Sequence, residues 1–287
     1  MNNSDMGVKQ EYRRLRPTPA LADIVESLWI QHQCEAPDIR KPSTVLPTGT
    51  VELLFHYGDP IAHLEQDGLI NMPRSYVTGQ RSYPVQVIGT GKHQAVVVSL
   101  YPWGLKTLYP AGVEAVDGYV DLRLMDSSGH VDQLEEQLRL AGNARQRIHL
   151  VERFLLATRR RKVDYEMVAA SKILSGKSIR QGIQQATRAL EMSERHFSRR
   201  FKAAVGLTPN LYMRIMRFQH AISVRRELVL PWASIAADCG FSDQPHLVRE
   251  LKRFSGQVPG KLNLDSGPGN STFNGKNASE FFDTVYV

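Results

Sequence analysis

Only two cysteines, Cys34 and Cys239, occur in 287 residues, so neither a disulfide framework nor a Cys-rich metal module can organise the fold. Cys239 falls on the apolar stripe of a helical segment, where a small core hydrophobe is a better reading than a redox thiol. No run approaches the roughly 20 apolar residues of a membrane span. The first residues, MNNSDMGVKQEYRR, lack the apolar centre of a signal peptide, and a cytoplasmic protein with no membrane partner is expected. A phosphate loop is also missing, because GTGK at 89–92 does not have the Gly-x4-Gly-Lys-Ser/Thr spacing.

Basic charge is plentiful and unevenly placed. Over 159–263 there are 20 Lys and Arg against 8 Asp and Glu, a balance of +12, whereas the whole chain carries +7. Residues 1–158 are slightly acidic, with 15 against 18. Such asymmetry points to a polyanion-binding domain attached to something else. The length is ample for two hydrophobic cores.

In the N-terminal half, residues 17–33 read as a short helix running into a strand. TVLPTGTVELLFHYGD reads as a strand pair around a turn at 47–49. SYVTGQ, YPVQVIG and QAVVVSLYP add short β runs bounded by Gly or Pro, a density that argues for a small barrel or sandwich. Tyr101, Trp103 and Tyr109 suit an effector pocket or core packing, with packing favoured. Beyond Ser128 the pattern turns helical. HVDQLEEQLRLAG places Val131, Leu134 and Leu138 on one face, and ARQRIHLVERFLLATRRRK does the same with Ile148, Val151 and Leu155. These helices suit a linker, a dimer element or packing on their own domain. The run 159–162 reads as a solvated basic hinge.

From Val163 to Gly176 a capped helix is expected. Two copies of one pattern follow. The first has Ile183, Ala186 and Leu190 on a short helix, then MSERHFSRRFKAAVGLTP, with Ser193 as N-cap, Phe197 and Phe201 as a buried pair, and Gly206 and Pro209 closing the unit. Arg195, Ser198, Arg199 and Lys202 are left outward. The second copy, at 231–259, has Ile235, Ala236 and Cys239, a Gly240 turn, Ser242 or Asp243 as cap, and Pro245 in the first turn. Leu247, Leu251 and Phe254 form its buried stripe, leaving Gln244, His246, Val248, Arg249 and Lys252 away from it. Between the copies, an amphipathic helix of about 27 Å is expected from Pro209 to Arg226, a spacer suited to two adjacent major grooves.

IAADCGFSDQPHLVRELKRFSGQVPG resembles the second helix-turn-helix of the AraC family of transcription regulators, and MSERHFSRRFKAAVGLTP resembles its first recognition helix. The first copy departs from the family pattern with Glu191 at the turn position held by Gly240 in the second, and with Ala186 and Thr187 where a Leu-Ala pair is commoner. LPTGTVELLFHYGDP, YVTGQ and VVVSLYPWGLKTLY resemble the N-terminal domain that often precedes this pair, a cupin-like barrel that binds a small effector or dimerises.

The expected architecture is therefore α+β. A β-rich N-terminal domain, cupin-like barrel or sandwich, spans 1–128, a helical linker 129–162, and an all-α DNA-binding domain with two helix-turn-helix units 163–263. The Gly/Asn/Ser-rich segment 264–287 reads as a disordered tail. The resemblance implies a sequence-specific regulator that binds double-stranded DNA in the major groove through Arg195, Ser198, Arg199, Gln244, His246, Val248 and Arg249. It admits a small-molecule effector, a second copy of the chain and RNA polymerase as further partners. No cofactor, no catalytic residue and no metal are expected. The competing reading is a cupin-like metal enzyme fused to a DNA-binding domain, with Glu52, His56, His63 and His93 as ligands. Against it, no His-x-His places two imidazoles on one strand face, and a turn signal at 58–60 separates His56 from His63.

Overall fold

Strand alternation in the N-terminal half sorts side chains onto two chemically different faces of one large sheet. The computed structural model describes residues 10–33, 42–110, 118–175, 182–228 and 230–262; Cys34, Gly176 and the segment 264–287 lie outside them. The strands are β1 (Gln10–Leu15), β2 (Val25–Gln33), β3 (Ser43–Val45), β4 (Val51–His56), β5 (Ile61–Glu65), β6 (Gly68–Asn71), β7 (Ser75–Thr78), β8 (Val85–Gly89), β9 (Gln94–Leu100) and β10 (Tyr119–Asp121). They form a six-stranded sheet in the order β1-β2-β9-β4-β7-β10 and a four-stranded sheet in the order β3-β8-β5-β6. Every pairing between these strands is antiparallel. The short helix expected before the β2 strand is a 3-10 turn, Pro19–Leu21.

Along β4, Val51, Leu53 and Phe55 face one way, into a core shared with Leu28, Ile30, Val96, Val98 and Leu100. Two helices cover that face, α2 (His130–Leu140) and α3 (Ala144–Thr158). Their stripes, Val131, Leu134 and Leu138 with Ile148, Val151 and Leu155, belong to the same core. Phe154 meets Phe55 edge-on at 5.8 Å. Each such buried side chain contributes about 1.5–3 kcal/mol, so these helices stay with the sheet rather than standing free of it. Tyr101 and Trp103 stack at 5.0 Å against the same core, with the Trp103 indole N–H donating to Asp23 O at 2.8 Å. They are packing residues.

The opposite face of the sheet is mixed. Glu52, His56, Thr78 and Ser99 are buried there beside Leu54, Tyr76, Ala95 and Val97, and the four-stranded sheet lies over them.

One expectation is corrected. β3 and β4 do not form a hairpin: β3 pairs with β8 in the small sheet, while β4 pairs with β7 and β9 in the large one. The 47–49 turn is a corner between sheets. Its direction is fixed by distant contacts, since Leu46 is buried in the core of the C-terminal helices. Gly49, at φ 79°, packs so closely that a Cβ would lie 3.0 Å from Met216 Sδ.

The C-terminal half contains α4 (Tyr165–Ser175), α5 (Gly182–Ala189), α6 (Glu194–Val205), α7 (Pro209–Leu228), α8 (Trp232–Asp238) and α9 (Gln244–Ser255), following the one-turn α1 (Gly104–Leu108) of the N-terminal half. Phe197, Phe201, Phe218 and Phe254 are fully buried at its centre. α7 runs to Leu228, two residues past the expected end, so its 20 residues span about 30 Å.

Candidate nucleic-acid interface

Each helical pair begins with a short helix and turns through one residue of positive φ into a longer amphipathic helix. α5 and α6 are joined through Glu191 at φ 51°, and α8 and α9 through Gly240 at φ 75°. The turns close alike: Met192 N–H donates to Thr187 O and Phe241 N–H to Ala236 O, both at 3.0 Å. Up to this point equivalent residues are 49 positions apart. Beyond it they are 50 apart, because the second turn is one residue longer. Ser193 and Asp243 are the N-caps, and Gly206 and Gly256 end the two helices in the left-handed region at φ 90° and 72°. Of the two cap candidates in the second unit, Asp243 holds the position and Ser242 precedes it.

The caps fix the helix starts. Ser193 Oγ accepts from His196 N–H at 3.3 Å, and Asp243 Oδ1 accepts from His246 N–H at 2.6 Å. The second bond holds the Asp243 carboxyl below the ordinary carboxylate range. Phe197 and Phe201 in α6, and Leu247 and Leu251 in α9, anchor the inner faces and are fully buried.

The outer faces then coincide in chemistry. At the 50-residue spacing Arg199 matches Arg249 and Lys202 matches Lys252, and all four are exposed. Ser198 matches Val248, both half-buried, while Arg195 and Gln244 are exposed in the first turns. Arginine can donate two bonds to a guanine edge, glutamine can pair with adenine, and valine methyls can pack on a thymine methyl. His246 is placed differently. Its ring meets Phe241 edge-on at 5.4 Å, and its Nδ1 lies 3.1 Å from Ser242 Oγ. It braces the turn.

Two ion pairs were not foreseen from the sequence. Arg200 on α6 reaches Asp164, just before α4, at 3.0 Å and also Glu166 on α4. At the matching position on α9, Glu250 takes both bonds of Arg214 on α7, at 2.8 and 2.7 Å. Each of α6 and α9 is thus tied to its supporting helix by a forked Arg–carboxylate contact, with the polarity reversed between units. Burial pushes the Glu250 carboxyl up, but the Arg214 bonds outweigh it and leave the group below its usual range. The only advance signal was a charge on the inner side of each amphipathic helix, and no local pattern names its partner.

The N-terminal half docks behind these helices. Gln219 on α7 donates to Pro47 O, Gln80 donates to Val205 O at the end of α6, and Pro84 packs beside Gly256 at the end of α9. The starts of α6 and α9 are left uncovered by these contacts.

Of the residues weighed as a metal set, His56 and His93 lie together at 5.1 Å between ring centroids, while His63 contacts Tyr76 and Tyr119 instead. Glu52 is influenced by Arg81 and Glu26, and burial pushes its carboxyl up to about 8. Among the described residues no group of three or more His, Cys, Asp or Glu is arranged to hold a metal ion.

Residues 186–263 match the family HTH_18, described as a helix-turn-helix domain, which is of AraC type. The chain carries an AraC-type helix-turn-helix domain over residues 186–263. Ahead of the AraC-type domain, residues 13–120 match a domain of unknown function, DUF6597. No curated protein matches the chain. Among solved structures, an apo variant of ToxT from Vibrio cholerae is similar with a TM-score of 0.44 and 9% identity, covering 82% of this chain and 96% of that one. ToxT bound to (E)-4-(8-methylnaphthalen-1-yl)but-3-enoic acid is similar at 0.42 and 8%, covering 88% and 96%. The AraC-like transcriptional activator CuxR is similar at 0.27 and 12%, covering 73% and 86%. Among the described residues no helix is long and apolar enough to cross a membrane.

Proposed function

We propose that the chain is a sequence-specific transcription regulator that reads two neighbouring major-groove segments, one with α6 and one with α9. The observation that carries this reading is the equivalence of Arg199 with Arg249 and Lys202 with Lys252 on two similarly built helix-turn-helix units. Arg195, Arg199, Gln244, Val248 and Arg249 are assigned to base edges, and Ser198 with the exposed lysines to phosphates. His246 acts through the turn it braces. The N-terminal domain is assigned to a small effector, and the protein to the cytoplasm. Its action is binding, without bond chemistry.

The test is a titration of the full chain with duplex DNA at graded salt. Each phosphate neutralised by Lys or Arg should contribute about −0.9 to the slope of log affinity against log salt. A chain with no measurable duplex affinity at low salt would overturn the reading.

A further inference from the structure

Between the two sheets of the N-terminal domain, five rings from five different segments meet. His56 on β4 stacks on Tyr76 of β7 at 5.8 Å and lies 5.1 Å from His93. His63, from β5 of the opposite sheet, meets Tyr76 at 6.4 Å and Tyr119 of β10 at 5.6 Å. Leu54, Met72, Ala95 and Val97 pack around them. His56 is 1% exposed, His63 4% and Tyr76 0%.

His56, His63 and Tyr76 are buried and His93 and Tyr119 half-buried, and these polar groups do not satisfy one another. Both ring nitrogens of His56, Nε2 of His63, Nε2 of His93 and the Tyr76 hydroxyl have no hydrogen-bond partner among the described residues. Leaving five such atoms unpaired would cost about as much as the whole net stability of a domain. Apolar residues would fill this space at no such cost, and on the other face of the same sheet they do. The polar set therefore has a use, as ligand pockets do when a few convergent polar groups sit in apolar walls.

The chemistry of the set selects the ligand. Burial lowers the imidazoles, His56 well below its ordinary value and His63 and His93 to about 4, so near neutral pH the rings are neutral, and His56, with both nitrogens unpartnered, offers one donor and one acceptor. A bound anion would satisfy the His56 donor and leave its acceptor nitrogen facing like charge; a cation would do the reverse. Only a group that donates and accepts together answers both. We propose that this ring cluster binds a small, flat, uncharged molecule carrying amide, hydroxyl or ring-nitrogen groups. The proposal rests on the effector reading only in calling that molecule a regulator.

Three probes of nearly one shape separate the charge states: benzamide (uncharged), benzoate (anion) and benzamidine (cation). Each is titrated into the full chain by calorimetry without DNA. Benzamide should bind on the order of millimolar, as expected for so small a ligand, and about tenfold tighter than the two ions. Tyr76→Phe removes one oxygen and should weaken benzamide several-fold with the melting temperature retained, and His56→Phe should weaken it further. If His56→Phe does not fold, Tyr76→Phe decides. Tighter binding of either ion, no binding of benzamide, or equal binding by parent and Tyr76→Phe would overturn the proposal. The same samples are then assayed for duplex affinity. Benzamide binding with no change in DNA affinity supports the ligand site and sinks the effector role, whereas intact DNA binding without benzamide binding sinks the ligand site alone.

Discussion

Arg249 and Glu191 are the two positions where a single side chain makes the sharpest claim. Arg249 stands on the exposed face of α9, six residues and so nearly two helical turns past the Asp243 cap, where it can donate in a fork to a guanine edge. Arg249→Ala should remove roughly 1–3 kcal/mol of discrimination at one base pair, measured as relative affinity over single-base variants of a bound duplex at fixed salt. An equal loss on every variant would make Arg249 a phosphate contact. Arg225 is not the neutral control that its place at the end of α7 suggests. It donates to Leu230 O at 2.8 Å and lies over Trp232, so its replacement would disturb the entry to α8. At Glu191 the backbone adopts φ 51°, the only left-handed conformation of a non-glycine among the described residues. Glu191→Gly should therefore stabilise the chain by up to about 1 kcal/mol, the left-handed strain being partly offset by glycine's greater freedom when unfolded. A urea midpoint that stays put or falls would show that the turn is not strained.

Elements were legible where their signals are local. Caps, terminating glycines and the spacing of Phe197 with Phe201 or Leu247 with Leu251 lie within one turn of each other, so α6 and α9 could be placed from the sequence almost to the residue. The one-residue difference between the two turns was hidden, because Ser242 and Asp243 are both good caps and only the structure chooses. β3 and β4 were joined wrongly for the opposite reason: strand pairing is non-local, and a Pro-x-Gly corner reads like a hairpin turn. The ring cluster was equally hidden, since His56, His63, Tyr76, His93 and Tyr119 converge only when two sheets close over each other. The ties from α6 and α9 to their supports are also long-range, and the second can be tested. Arg214→Ala leaves the Glu250 carboxylate buried without its fork and should cost about 1–3 kcal/mol in denaturant unfolding. The double replacement Arg214→Met with Glu250→Leu should recover most of that loss. A double variant as unstable as the single one would mean that the pair does more than satisfy itself.

For the whole molecule, the N-terminal domain meets the buried face of α7 and the C-terminal ends of α6 and α9, while the starts of both reading helices remain exposed. Docking thus uses the ends of these two helices opposite to those proposed to read DNA. α7, about 30 Å long, separates two units of matching build, which is close to the ~34 Å between successive major-groove faces on one side of a duplex. The decisive measurement is selection of bound sequences from a random duplex pool with the full chain. The enriched site should hold two short conserved blocks about 10–10.5 base pairs apart, centre to centre, and Arg249→Ala should blur one block while sparing the other. A pool that shows no enrichment after selection, or one block that Arg199→Ala and Arg249→Ala alter alike, would contradict reading by two equivalent helices.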